Sequence, residues 1–283
     1  MSKTFGCAVS IMDVMTRSET VSDVLVLEDG EVDGPALVLL SNAAAPPGIW
    51  DPVVSVLAGT YRVIRVDLLT RRNRLTGGYD VPTQARRIGA TLDQLGVSQV
   101  IAVGHSSGCM TATALAEQRP DAVVRLALID MGPNLDAKLP ESPVFKLLAA
   151  PLLGRLLWRM RTPASIQKAA RSGTARPVDI PVAFVEHAQR LTRRDLVETL
   201  RGSRDYLGER SLPDRLSPLG KPLLVIFGAD DGRWRSSSSA AYRAVPGARV
   251  ELLPGVGHTP MMEDPLATTE LLLEFAAAAE RST

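Results

Sequence analysis

The chain has 283 residues, of which 45% are hydrophobic and 22% are charged, and its formal net charge at pH 7 is +1. This near-neutral balance argues against nucleic acid or an anionic membrane as the main partner. No apolar run approaches the length of a membrane-spanning helix, and the size suits one large α/β domain or such a domain with an insertion.

Short apolar runs alternate with helix-like segments along most of the chain. The predicted strands cover residues 24–27, 36–40, 61–66, 100–103, 123–129, 223–227 and 250–253. Helices are predicted over residues 81–95, 109–118 and 265–279. This alternation predicts a mostly parallel sheet with crossover helices on both faces.

The strand pattern stops between about Asn134 and Leu216, where the apolar stretches 144–160 and 182–191 have helical character. We therefore divide the chain into an N-terminal core part (1–133), a helical cap or lid (134–215) and a C-terminal core part (216–283). Amphipathic helices inserted between two core strands are expected to cover a site and line an apolar pocket. Packing on the core without any substrate contact remains an alternative.

The cysteines and the start of the chain bear on the cellular compartment. Cys7 and Cys109 do not make a disulfide framework, and free thiols suit a reducing compartment. Residues 1–15 lack a signal-peptide core and an A-x-A-type cleavage site. We expect a cytoplasmic protein.

The segment Gly104-His105-Ser106-Ser107-Gly108 stands between a predicted strand and a predicted helix. A G-x-S-x-G in that context is typical of a nucleophile elbow, a turn so tight that its neighbours need to be nearly free of side chains. The serine hydroxyl then projects alone from the apex. This context predicts that Ser106 is a nucleophile.

A serine nucleophile needs a base, and the base needs an orienting carboxylate. Of the three histidines, His105 lies inside the elbow and is expected to point away from the nucleophile, and His187 lies in the predicted cap. His258 follows a predicted strand, where a catalytic base belongs. Asp230 and Asp231 follow the preceding strand, and either carboxylate suits the order serine, acid, histidine.

Outside the predicted cap, nearly the whole chain resembles the α/β-hydrolase family. The matching stretches are Gly228-Ala229-Asp230-Asp231, Pro246-Gly247-Ala248, Pro254-Gly255-Val256-Gly257-His258-Thr259-Pro260 and Glu263-Asp264-Pro265. In that pattern the acid stands three residues after the glycine, so the resemblance selects Asp231 over Asp230. Asp130 is the alternative acid, because some relatives carry it after the preceding strand. The implied triad is Ser106, Asp231 and His258.

The resemblance also implies an oxyanion hole made by the backbone N–H groups of Ala43 and Ser107. Family members commonly carry His-Gly where this chain has Ser41-Asn42. Backbone donors do not depend on the side chain, so the hole is compatible with the change. A Ser-Asn start is similar to that of enol-lactonases acting on aromatic breakdown products.

A second departure follows Asp67, where the family usually has Arg-Gly-x-Gly-x-Ser. This chain instead carries Arg71, Arg72 and Arg74 in a longer loop. The arginines suit either a bound anionic group, such as a carboxylate or phosphate, or a solvated loop.

The function that the resemblance implies is hydrolysis of a carboxylic ester or lactone, with a small molecule bearing an apolar acyl or lactone group as substrate. No cofactor is expected, and the widely separated histidines offer no metal-ligand spacing. Thioesterases, C–C bond hydrolases and acyltransferases use the same triad. A non-hydrolytic small-molecule-binding protein on the same fold is the alternative from a different class.

Overall fold

The structure is a computed structural model that describes residues 16–21, 24–31, 33, 35–42, 45–67, 78–140, 147–148, 150 and 152–278. Several residues singled out above lie outside this range. They are Cys7, Ala43, Arg71, Arg72 and Arg74.

Eight strands in the described part of the chain form one sheet, in the order β1-β2-β4-β3-β5-β6-β7-β8. They are β1 (Arg17–Val21), β2 (Val24–Asp29), β3 (Ala36–Leu40), β4 (Arg62–Asp67), β5 (Val100–His105), β6 (Val123–Ile129), β7 (Leu223–Gly228) and β8 (Arg249–Leu253). Strands β3 to β8 pair in parallel, which confirms the predicted mostly parallel sheet. Strands β1 and β2 add an antiparallel edge.

The described helices lie between these strands or after the last of them. They are α1 (Asp51–Leu57), α2 (Val81–Gln94), α3 (Ser107–Gln118), α4 (Leu153–Arg159), α5 (Pro163–Arg171), α6 (Val182–Arg190), α7 (Arg193–Glu209), α8 (Leu212–Leu216), α9 (Pro260–Glu263) and α10 (Pro265–Ala277). Short 3-10 helices lie at Pro47–Trp50, Leu135–Ala137, Ser217–Leu219 and Ser236–Ala244. No helix in these ranges is both long and apolar enough to cross a bilayer.

Helices cover both faces of the sheet, because alternate residues of a buried strand point to opposite sides. In β3, Val38 and Leu40 pack in a cluster with residues of α2 and α3. Leu37 and Leu39 pack in a second cluster with residues of α1 and α10. A strand with apolar residues at every position is therefore buried on both sides, as the parallel sheet requires.

Helices α4 to α8 lie between β6 and β7 in the chain, in the region where the strand pattern was predicted to stop. Ile166, Ile180 and Val185 form a small apolar cluster of their own within this insertion. Hydrogen bonds tie the insertion to the core, since the Tyr79 hydroxyl donates to Asp195 Oδ1 at 2.8 Å. The division into core and cap stays a prediction.

Candidate active site

The turn between β5 and α3 places Ser106 in a conformation that L-residues rarely adopt, with φ 53° and ψ −125°. Its glycine neighbours are required by close backbone contacts. A Cβ on Gly104 would lie 2.5 Å from Cys109 Cα, and one on Gly108 would lie 2.1 Å from the Leu40 carbonyl oxygen. Side chains at these positions would force the strand and the helix apart. The turn has the geometry of a nucleophile elbow.

Three side chains from different loops form a continuous hydrogen-bonded line. Ser106 Oγ lies 3.1 Å from His258 Nε2, and His258 Nδ1 lies 2.9 Å from Asp231 Oδ2. The other Asp231 oxygen, Oδ1, accepts from the backbone N–H groups of Arg233 at 2.6 Å and Trp234 at 3.3 Å. These two donors orient the carboxylate so that Oδ2 faces the imidazole. The Asp231 side chain is 0% exposed, so water does not compete for this contact.

The other two candidate acids occupy different positions. Asp230 is exposed, and its backbone N–H donates to Val256. Asp130 is buried after β6 with φ 49°, and its Oδ1 accepts from the Gly228 N–H at 2.8 Å. Burial and the neighbouring Asp231 charge raise the Asp130 pKa well above its usual range. Among the three, Asp231 is the carboxylate hydrogen-bonded to His258.

One oxygen each of Asp130 and Asp231 and one ring nitrogen of His258 lie within 4.8 Å of one another, a spacing that a metal ion can bridge. Both His258 ring nitrogens are engaged by side chains, however, Nδ1 by Asp231 and Nε2 by Ser106. The donor set therefore fits an acid–base relay rather than a metal site.

The remaining histidines lie in other surroundings. His105 is fully buried, and its Nε2 lies 2.7 Å from the His258 carbonyl oxygen. Because a carbonyl accepts only, Nε2 carries the proton and donates. Burial, together with repulsion by His258, lowers the His105 pKa to about 3, so the ring is neutral. His187 on α6 is buried, with Nδ1 3.9 Å from Asp67 Oδ2.

Of the two predicted oxyanion donors, one lies in the described part of the chain. Ser107 is the first residue of α3, so its N–H belongs to the set that has no partner within the helix. The positive end of the helix dipole favours negative charge at this point. Ala43 lies outside the described residues, and the role of both donors stays a prediction.

Glu263 is not among the site residues predicted from the sequence, and it is buried beside the His258 loop. Its carboxylate accepts hydrogen bonds from the backbone of Gly257 and Thr259. The available signal was its place in the Glu263-Asp264-Pro265 stretch just after His258. That stretch matches the family pattern, but the match by itself assigns no role to the glutamate.

A protein-family model described as "Alpha/beta hydrolase family" matches residues 37–271 of the sequence. An uncharacterized protein of Mycobacterium tuberculosis is 27% identical over 264 residues, which cover 87% of this chain and 76% of that protein. The pimeloyl-[acyl-carrier protein] methyl ester esterase of Aeromonas hydrophila is 28% identical over 251 residues, which cover 86% of this chain and 95% of that esterase.

Among solved structures, Cfl2 from Burkholderia cenocepacia superposes with a TM-score of 0.74 at 25% identity, covering 92% of this chain and 95% of that one. The family match spans most of the chain, including the turn at Ser106 and the loops that carry Asp231 and His258. The protein belongs to the alpha/beta hydrolase family.

Proposed function

We propose that the protein is a serine hydrolase that cleaves a carboxylic ester or lactone through an acyl-enzyme on Ser106. The observation that carries this proposal is the hydrogen-bonded line from Ser106 Oγ through His258 to the buried Asp231. Similarity to a methyl ester esterase supports an ester as the scissile group.

Acylation begins with the hydroxyl of Ser106. His258 Nδ1–H donates to Asp231, which leaves Nε2 unprotonated and facing Ser106 Oγ. As Oγ attacks the carbonyl carbon, Nε2 takes its proton, and the buried Asp231 carboxylate stabilises the imidazolium. The imidazolium then gives the proton to the leaving alkoxide oxygen as the C–O bond of the ester breaks.

Deacylation repeats these steps with water as the nucleophile. His258 takes a proton from a water molecule while that water attacks the acyl-enzyme. His258 then gives this proton to Ser106 Oγ when the carboxylic acid leaves. In both steps the carbonyl oxygen becomes negative. The N–H groups of Ser107 and Ala43 are proposed to stabilise that charge, and the loss of one such donor costs about two to three decades in rate.

The inserted helices are proposed to be a cap that binds the apolar part of the substrate. Phe184 on α6 and Met262 in α9 pack against two apolar clusters. One is the core cluster that contains residues of α1 and α10, and the other is the small cluster of the insertion. Met262 follows the His258 loop closely in the chain, so this apolar contact lies near the proposed base. A substrate with an apolar acyl or lactone group fits such surroundings.

The test compares the wild type with Ser106→Ala on p-nitrophenyl esters of increasing acyl length, acyl-thioesters and lactones. We expect the wild type to show a burst of product stoichiometric with enzyme. Ser106→Ala is expected to lose the burst and about six decades of kcat, because the nucleophile is gone. Ser237→Ala, at an exposed position, is the matched control and is expected to keep the wild-type burst.

Turnover by Ser106→Ala at the wild-type rate would refute the mechanism. A clear preference for thioesters would keep the acyl-enzyme but replace the ester with a thioester as substrate. A wild type that reacts with an active-site phosphonate but hydrolyses no substrate in the panel would contradict the ester and lactone assignment.

A further inference from the structure

The carboxylate of Glu263 is buried between two parts of the chain. Its Oε1 accepts from the Thr259 backbone N–H and hydroxyl, each at 3.0 Å. Its Oε2 accepts from the N–H groups of Gly257 at 2.8 Å, Ala175 at 2.7 Å and Arg176 at 3.0 Å. One carboxylate therefore holds the residues on both sides of His258 and also a segment between α5 and α6.

We call residues 172–176 the strap, and the strap lies directly against the His258 loop. The His258 N–H donates to the Gly173 carbonyl at 2.8 Å. A Cβ on Gly257 would lie 2.5 Å from the Ala175 nitrogen and 2.7 Å from the Gly173 oxygen. This approach leaves no room for a side chain, so the position of the strap constrains the position of the base.

Arg176 of the strap adds a second set of contacts to the same loop. Its guanidinium donates to the carbonyls of Gly255 at 3.0 Å and Pro254 at 3.1 Å. It also forms an ion pair with Asp264 at 2.8 Å. Because this ion pair is partly exposed, we expect it to hold the His258 loop less firmly than the buried Glu263 carboxylate does.

The strap also reaches the loop that carries the proposed acid. The guanidinium of Arg233 donates to the Ser172 hydroxyl at 2.8 Å, while the Arg233 backbone N–H donates to Asp231 Oδ1. The strap therefore contacts the loops of both His258 and Asp231.

We propose that Glu263 is a positioning residue that sets the distance from His258 Nε2 to Ser106 Oγ by joining the His258 loop to the strap. This inference rests on the proposed function. A displacement of about 1 Å between reacting groups costs about 10²-fold in rate. The anchor of the proposed base is thus shared between the core and the inserted segment.

Glu263→Gln tests the proposal with a side chain of nearly the same shape. All five groups around the carboxylate are donors. The side-chain oxygen of a glutamine can accept from the donors on one side only. Its NH₂ group then faces the donors on the other side, where it finds no acceptor, so the loop has to shift. Glu274→Gln is the matched control, since Glu274 on α10 is exposed and pairs with Arg249 at the surface.

The first readout is the rate at which a phosphonate labels Ser106, measured against pH. We expect Glu263→Gln to react about 10- to 100-fold more slowly and with a shifted pH midpoint, because both depend on the position of His258. The second readout is the NMR signal of the His258 Nδ1 proton, which is expected to broaden or disappear. Glu274→Gln is expected to match the wild type in both measurements.

A wild-type labelling rate, pH midpoint and imidazole signal in folded Glu263→Gln would overturn the proposal. If Glu263→Gln fails to fold, Thr259→Val replaces it, since that change removes only the hydroxyl donor. Thr259→Val is expected to label about two- to tenfold more slowly, and an unchanged rate would overturn the proposal.

The two proposals can fail separately. A wild type that is labelled but hydrolyses no ester contradicts the proposed function and leaves the labelling test of Glu263 intact. If the wild type is not labelled either, the His258 Nδ1 proton signal decides: its retention in Glu263→Gln would overturn the positioning role, and its loss would support it.

Discussion

Replacing Asp231 by asparagine tests the acid of the proposed triad through the tautomer of His258. Asp231 Oδ1 is held by two backbone N–H donors, from Arg233 and Trp234. In Asp231→Asn the amide oxygen keeps these donors, which places the NH₂ group where Oδ2 faces His258. The imidazole then has to accept at Nδ1 and carry its proton on Nε2. That tautomer cannot take the proton of Ser106.

The expected loss is about four decades in kcat, equivalent to about 5 kcal/mol of transition-state stabilisation. The structure supports the full effect because the Asp231 side chain is 0% exposed and His258 only 12% exposed. Water is therefore poorly placed to substitute for the lost acceptor. The amide and the carboxylate have nearly the same size, so the fold is expected to remain intact.

The assay is the pre-steady-state burst with the best ester from the substrate panel, alongside thermal unfolding. Asp130→Asn is the matched control, because the new side chain keeps an oxygen for the Gly228 N–H. It is expected to keep activity within about tenfold of the wild type. An active Asp231→Asn together with an inactive Asp130→Asn would refute the reasoning and assign the acid to Asp130.

Two further predictions concern stability. The pKa of Asp130 is raised in the folded state. At a pH above the ordinary carboxyl pKa, the folded state therefore binds more protons than the unfolded state. As a result, this group lowers the stability of the fold as pH rises. The unfolding free energy of Asp130→Asn should therefore rise relative to that of the wild type as pH increases, by at most about 1.4 kcal/mol per pH unit; a difference between the two unfolding free energies that does not change with pH would contradict this. Gly108→Ala should lower the free energy of unfolding by about 1–3 kcal/mol and slow Ser106 labelling, since its Cβ would meet the Leu40 carbonyl at 2.1 Å. Denaturant unfolding equal to that of the wild type would exclude this clash.

A central strand such as β3 was predictable because both of its faces are buried and each of residues 36–40 is apolar. The edge strand β1 was not predicted, since Arg17–Val21 is polar and mostly exposed and is held by pairing with β2. Helix α1 was also missed. It begins at Asp51 directly before Pro52, after a proline-rich stretch that is typical of a turn.

The sequence alone determined the local features of the site, because they depend on residues adjacent in the chain. The tight turn at Ser106 needs small neighbours between a strand and a helix, and the loops that carry Asp231 and His258 directly follow buried strands. Parallel strands bring their carboxyl ends to one edge of the sheet, so the general meeting of these loops was predictable as well.

Only the tertiary structure decided which atoms meet at that edge. Ser106 and His258 are 152 positions apart, and Glu263 and Ala175 are 88 positions apart. Whether Asp231 or Asp130 faces the imidazole depends on loop dihedrals and on the backbone donors that orient each carboxylate. The contact between Glu263 and the strap likewise depends on how two distant segments pack. Spacing along the chain does not contain that information, since a hydrogen bond is made or lost within less than 1 Å.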